Sequence, residues 1–260
     1  MRSIRLSHAA FAVTLVCYGI YGLIQGDFTP PWADAPKSTP MREGLVYIGN
    51  IVSILAAGLL WSRTQAISAR VLFAATLLWL LLIKMRYIFL APTTEGSYQT
   101  WGETAVIVAA AWALYVEYAT TWDRRRLGFA AGPNGLRTSR IVYGLALIAF
   151  GLSHFFYLQL TAPLIPDWLP WHEGWAYFTG ATYTLAGIAI VTGVLARWAA
   201  LLVAIQIALI TFVVWTPLAL SHTMTAFQWN EFVTSWLLTA AAWVIADSYR
   251  APRAPIRNRS

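Results

Sequence analysis

Charge is scarce in this sequence. Charged residues make up 11% of its 260 positions, against 58% hydrophobic ones. A soluble domain carries roughly 25% charged residues, so chemistry on a broad polar surface is excluded. Cysteine is nearly absent. The single Cys17 rules out an internal disulfide and a C-x-x-C dithiol, and in its apolar setting it reads as a small packing residue. The motifs of self-sufficient soluble-type enzymes are missing as well. No G-x-S-x-G, H-E-x-x-H, phosphate-binding P-loop or nicotinamide fingerprint occurs in a usable context.

What the sequence has is long apolar runs, with a mean hydropathy of +0.58. A membrane-spanning helix needs roughly 20 mostly apolar residues. Eight stretches meet or approach that length: 7–25, 44–61, 70–90, 104–118, 139–158, 174–195, 198–215 and 231–246, the fourth and eighth being short. Prolines such as Pro30, Pro92, Pro133 and Pro166 fall between them, where a helix ends without losing a needed hydrogen bond. The first run follows Met1-Arg-Ser-Ile-Arg5 and lacks a small-residue cleavage site. It reads as a retained helix rather than a signal peptide.

The basic residues set the orientation. With the N-terminus inside, 14 of the 18 Lys and Arg fall in inner segments; Lys37, Arg42, Lys84 and Arg86 remain for the outer half. Eight of the 11 acidic residues fall outside. This asymmetry is the positive-inside pattern and predicts that both termini are cytoplasmic. It also accounts for the net charge of +7 without nucleic acid, because Asp123-Arg-Arg-Arg126 and the basic tail lie where they meet anionic head groups. The lipid bilayer is the partner that this pattern implies.

An internal repeat runs through the chain. Tyr21-Gly22-Leu23 matches Phe150-Gly151-Leu152, Gly44 and Tyr47 match Gly174 and Tyr177, and Ala69-Arg70 matches Ala196-Arg197. Trp101-Gly-Glu103 matches Trp229-Asn-Glu231. The matches keep one order and a nearly constant offset, the signature of duplication. The expected fold is all-α and integral to the membrane, with eight transmembrane helices as two tandem four-helix bundles. An even number per repeat makes the halves parallel, related by an axis along the membrane normal. The expected division is 1–122 for the first repeat, 123–138 for a basic cytoplasmic linker, 139–249 for the second repeat and 250–260 for a basic tail. Small residues four apart, Gly49, Ser53 and Ala57, then Ala176, Gly180 and Thr184, read as packing faces.

The residues able to carry chemistry gather at the outer rim of the second half. His154, Tyr157, Trp168, Tyr177, His222 and Glu231 form the candidate ligand-binding set. A quinone-type ring ligand needs apolar walls and a few polar groups, with His154 beside a ring carbonyl and the 163–170 loop closing over it. A metal held by His154, His172, His222 and Glu231 is chemically reasonable, but no tight histidine spacing supports it, and no metal ligand is assigned. The third reading is that Trp, Tyr and His simply anchor the membrane interface. Glu103 and Glu231 read as first-turn carboxylates facing the positive ends of their helices. Lys84 and Arg86 read as snorkelling side chains, with a buried pair to Glu95 or Glu103 as the alternative.

The run Phe150-Gly-Leu-Ser-His-Phe155, then Thr161-Ala-Pro-Leu-Ile-Pro-Asp-Trp-Leu-Pro170, then Trp175-Ala-Tyr-Phe-Thr-Gly180 resembles the DoxX-like family of four-helix membrane proteins. Gly193-Val-Leu-Ala-Arg197 and Trp229-Asn-Glu231 continue the likeness, which covers residues 139–247. The first half looks like a degenerate copy lacking the Ser-His-Phe and Trp-Leu-Pro elements. The resemblance implies a bacterial inner-membrane protein. It also implies a non-autonomous subunit linked to quinone or thiol redox, working with a redox enzyme or another membrane protein. A structural or chaperone-like membrane protein without catalysis is the alternative, and a small transporter a third.

Overall fold

The computed structural model describes residues 5–33 and 38–250, with the side chains of Ala226 and Phe227 excepted. Arg2, Lys37, Arg253, Arg257 and Arg259, which bear on the orientation, lie outside the described residues, as does the tail from 251 onward. The described chain is all helical, with eight long helices: α1 (Leu6–Gln25), α2 (Arg42–Leu60), α3 (Gln65–Leu90), α4 (Glu95–Tyr118), α5 (Pro133–Phe156), α6 (His172–Thr192), α7 (Ala196–Leu220) and α8 (Ala226–Ser248). Five of them, α1, α2, α3, α5 and α7, are long and apolar enough to cross a membrane.

The other three match them in length but not in apolarity, and for α4 and α8 packing gives the reason. Along α4, every residue from Thr104 to Ala111 is buried. In α8, Leu237, Ala241, Ala242 and Ile245 are sealed from solvent. These two helices pack against each other in the middle of the bundle, so their neighbours are protein on most sides. A helix surrounded by protein needs small side chains for close approach rather than a greasy exterior. That is why α4 and α8 are longer than their apolar stretches: they begin at Glu95 and Ala226 rather than at 104 and 231.

The contacts between helices come in matched pairs. Helix α1 packs on α2 as α5 packs on α6; α2 meets α3 as α6 meets α7; α3 meets α4 as α7 meets α8. Across the middle, α4 packs on α5 and α8 packs on α1. Finer features recur too. Both α3 and α7 contain a π-helical segment, Leu80–Lys84 and Ile210–Trp215. Both α2 and α6 are entered through a residue with positive φ, Met41 at 55° and Trp171 at 63°, positions 130 apart.

Glycine permits the tightest of these contacts. A Cβ on Gly151 of α5 would lie 2.1 Å from Thr184 Oγ1 and 2.6 Å from the Gly180 carbonyl oxygen of α6. On α1, a Cβ on Gly19 would lie 2.5 Å from the Asn50 carbonyl oxygen of α2. Backbones this close leave no space for any side chain.

The link between α4 and α5 folds as two short helices, Thr121–Arg126 and Gly128–Ala131. Thr120 and Asp123 form a reciprocal cap at the start of the first. The buried Asp123 carboxylate also accepts hydrogen bonds from Arg70 Nη2 at 2.8 Å and Tyr115 Oη at 3.1 Å, which ties the link to α3 and α4. Burial alone raises the Asp123 carboxyl, but the hydrogen bonds from Arg70, Thr120 and Tyr115 outweigh it and hold the group below the usual carboxylate range.

Candidate functional site

A cavity of about 500 Å³ lies between α4, α5, α6, α7 and α8. Its walls follow helical periodicity. Helix α4 contributes Gly96, Gln99, Thr100 and Glu103, a stripe at i, i+3, i+4 and i+7. Helix α8 contributes Asn230, Glu231, Thr234 and Ser235. Opposite these polar stripes stand apolar groups such as Phe150, Ile207, Val214 and Trp215. Ile210, Val214 and Trp215 come from the π-helical segment of α7, whose wider turn changes which side chains face inward. The volume and the mix of apolar walls with few polar groups are those of a small-molecule site.

His154 is at the last turn of α5 and lines this cavity. Its Nδ1 lies 2.7 Å from the Phe150 carbonyl oxygen. A carbonyl only accepts, so Nδ1 carries the proton and the neutral ring keeps an acceptor lone pair on Nε2. The Tyr183 ring stands edge-on to the imidazole, with centroids 5.6 Å apart, and fixes its plane. Tyr157, at the end of α5, accepts a hydrogen bond from the Gly96 N–H at 3.2 Å and so joins α5 to the start of α4.

Of the six candidate residues, His154, Tyr157 and Glu231 line the cavity. The other three are elsewhere. Trp168 is 69% exposed, Tyr177 stacks on Phe155 on the outer side of the α5–α6 pair with centroids 5.9 Å apart, and His222 occupies an exposed turn with φ 55°. From the 162–171 segment, Leu164 and Ile165 reach the cavity. Among the described residues no group of three His, Cys, Asp or Glu converges to hold a metal ion.

Two readings from sequence need correction. Glu103 and Glu231 are not first-turn residues, because α4 and α8 begin eight and five positions earlier; both carboxylates line the cavity instead. Lys84 does not snorkel, being only 1% exposed. The sequence signal that finds Gln99, Thr100, Glu103, Thr234 and Ser235 is the polar stripe at helical spacing, visible only once α4 and α8 are taken at full length.

The corresponding region of the first half is plugged. Trp32 is buried against Gly49 and donates its indole N–H to Ser53 Oγ at 2.8 Å. It stands edge-on to Trp79 with centroids 5.6 Å apart. Asn50 holds the loop after α1 through the Asp27 carbonyl at 3.0 Å and the Thr29 hydroxyl at 3.1 Å. What remains beside α1 and α8 is a space of about 230 Å³.

No curated protein and no solved structure is significantly similar to the chain. Residues 135–216 match the family model of DoxX. That stretch includes α5 almost entirely, all of α6 and most of α7, the three helices that carry His154, Tyr183 and the π-helical wall. Residues 135–216 are thus similar to a DoxX domain, and this stretch supplies the larger part of the cavity lining.

Proposed function

We propose that this protein is an eight-span subunit of the bacterial inner membrane that holds a quinol in the second-half cavity and serves a partner redox protein. The observation that carries the reading is the cavity itself: about 500 Å³, apolar on the α7 side, with His154 and Glu231 among its polar groups. His154 Nε2 is an acceptor, so the ring oxygen it suits is a hydroxyl rather than the carbonyl that sequence reasoning favoured. Glu231 offers a second acceptor, while Phe150, Ile207 and Trp215 cover the faces of a ring. Oxidation of a quinol releases two electrons, and the reading assigns them to a partner redox protein.

The eight-span topology with both ends cytoplasmic is part of the same proposal. It is supported by the lengths of α4, α6 and α8, 24, 21 and 23 residues, each sufficient to cross a bilayer. Two tandem halves in parallel orientation are supported by the matched helix contacts, the paired π-helical segments and the paired positive-φ entries at Met41 and Trp171. Exposed Trp168, Tyr177 and His222 fit interface anchoring, so the anchoring and ligand readings divide the candidate residues between them.

The test is to extract the purified protein and identify bound quinone or quinol, then to repeat the extraction with His154→Ala. Wild type with bound quinol and a folded variant without it support the reading. A wild-type protein that retains no quinone and binds none on addition overturns it. Reporter fusions after Arg126 and after Pro166 test the topology, with the first expected cytoplasmic and the second external.

A further inference from the structure

Lys84 is among the largest fully buried side chains of the molecule. An ammonium at membrane depth demands a counter-charge, and the acidic residues narrow the choice. Asp27 is exposed and paired with Arg42 at 2.6 Å; Glu117 faces Arg5 and His8; Asp123 is taken by Arg70 and Asp247 by Arg250. Glu43, Asp167 and Glu173 are exposed, and Asp34 lies outside the described residues. Neither carboxylate oxygen of Glu95 has a hydrogen-bond partner. Glu103 and Glu231 remain.

Depth selects the same two. At about 1.5 Å of rise per residue, Lys84 lies about 9 Å below the end of α3 and Glu103 about 12 Å below the start of α4, across one tight turn. Glu231 lies about 8 Å below the start of α8, which begins at the same end of an up-and-down bundle. The π-helical segment ending at Lys84 packs against α4, and α4 packs against α8.

We propose that Lys84, Glu103 and Glu231 form one charge cluster at the wall of the cavity, with Lys84 buried and the two part-buried carboxylates lining the space, in which the carboxylates share the Lys84 ammonium and one exchangeable proton. Two carboxylates and one ammonium, all ionised, would leave an uncompensated negative charge in a medium of low dielectric, and like charges at one site do not both ionise freely. Keeping one proton neutralises the cluster. The cavity then has two proton-exchanging poles, His154 on α5 and the Glu103–Glu231 pair on α4 and α8. The remaining titratable side chains that line it are Tyr157 and Tyr183, while Glu95 and Tyr87 flank Lys84 on the adjoining ends of α4 and α3. The inference shares the cavity of the proposed function but does not depend on which ligand fills it.

Infrared spectroscopy of the full chain in lipid nanodiscs, with exchange into heavy water, reads the proton. The protonated-carboxyl band is expected to lose intensity in Glu103→Gln and again in Glu231→Gln, since each leaves a one-to-one neutral pair with Lys84. Unchanged intensity in either variant overturns the proposal. A thermal double-mutant cycle reads the pairing. Lys84→Met is expected to lower the unfolding temperature strongly, and Lys84→Met combined with Glu103→Gln to recover most of the loss; additive losses overturn it. If Lys84→Met alone yields no folded protein, recovery of folding in the double variant is the supporting result and its failure the contrary one. Neither readout involves quinone, so coupling without quinone binding removes only the proposed function, and quinone binding without coupling removes only this cluster.

Discussion

The two halves of the molecule pack their helices alike and differ in what occupies the space beneath the loop after their first helix. In the first half, Trp32 fills it, anchored on Ser53 and Trp79 and pressed against Gly49. In the second half, the loop leaves Trp168 and Trp171 exposed, 69% and 80%, and an open cavity lies inside. The first half is thus filled where the second is hollow, and the two loops place their tryptophans differently, Trp32 buried and Trp168 exposed. The ends of the first helices differ too: His154 and Tyr157 stand at the end of α5, whereas Gln25 and Phe28 end or follow α1.

The sharpest way to break the comparison is at the glycine contacts common to both halves. Gly151→Val and Gly19→Val each drive a side chain into a facing carbonyl oxygen and are expected to cost about 3 kcal/mol or more. The check is the yield of monodisperse protein in detergent and its unfolding temperature. A variant as stable as wild type would show that the halves are not held by these contacts.

The tryptophans come next. Trp32→Ala, at a position 3% exposed, is expected to lose about 3–5 kcal/mol by emptying a core site. Trp168→Ala is expected to stay within about 0.5 kcal/mol of wild type. Thermal unfolding of the two variants side by side measures the asymmetry, and equal losses would contradict the plugged-versus-open account.

Asp123 tests the link between the halves. Its carboxyl is depressed in the folded chain, so the stability it contributes is present above the ordinary carboxylate range and is lost as pH falls through and below that range. Asp123→Asn is expected to cost about 2 kcal/mol and to flatten the acid side of the stability profile. An unchanged acid limb in the variant would assign the pH dependence elsewhere.

Much of the bundle was legible in the sequence because lipid-facing helices advertise themselves through apolar residues. Helices α1, α2, α3, α5 and α7 follow that rule. The ends of α4 and α8 were not legible, because a helix buried by protein carries Gln99, Glu103, Asn230 and Thr234 at no cost when they face a cavity. That misplacement of helix starts is what made Glu103 and Glu231 look like caps. Lys84 was misread for a related reason: a lysine near a helix end is a good snorkelling candidate by sequence, and only packing against α4 shows it turned inward. Trp168 and Trp32 sit in similar Pro-Trp loops, and sequence alone gives no sign that one is buried and the other exposed.

The central claim is that the hollow half holds a quinol through His154. Titration of purified protein in lipid nanodiscs with a short-chain quinol analogue, on wild type and on His154→Ala, tests it most directly. His154 is only part-buried and contributes one local hydrogen bond, so the variant is expected to keep its stability within about 1 kcal/mol of wild type. The account predicts saturable binding to wild type and at least a tenfold loss of affinity, about 1.4 kcal/mol, in the variant. Equal binding by both proteins, or no saturable binding by wild type, would contradict it.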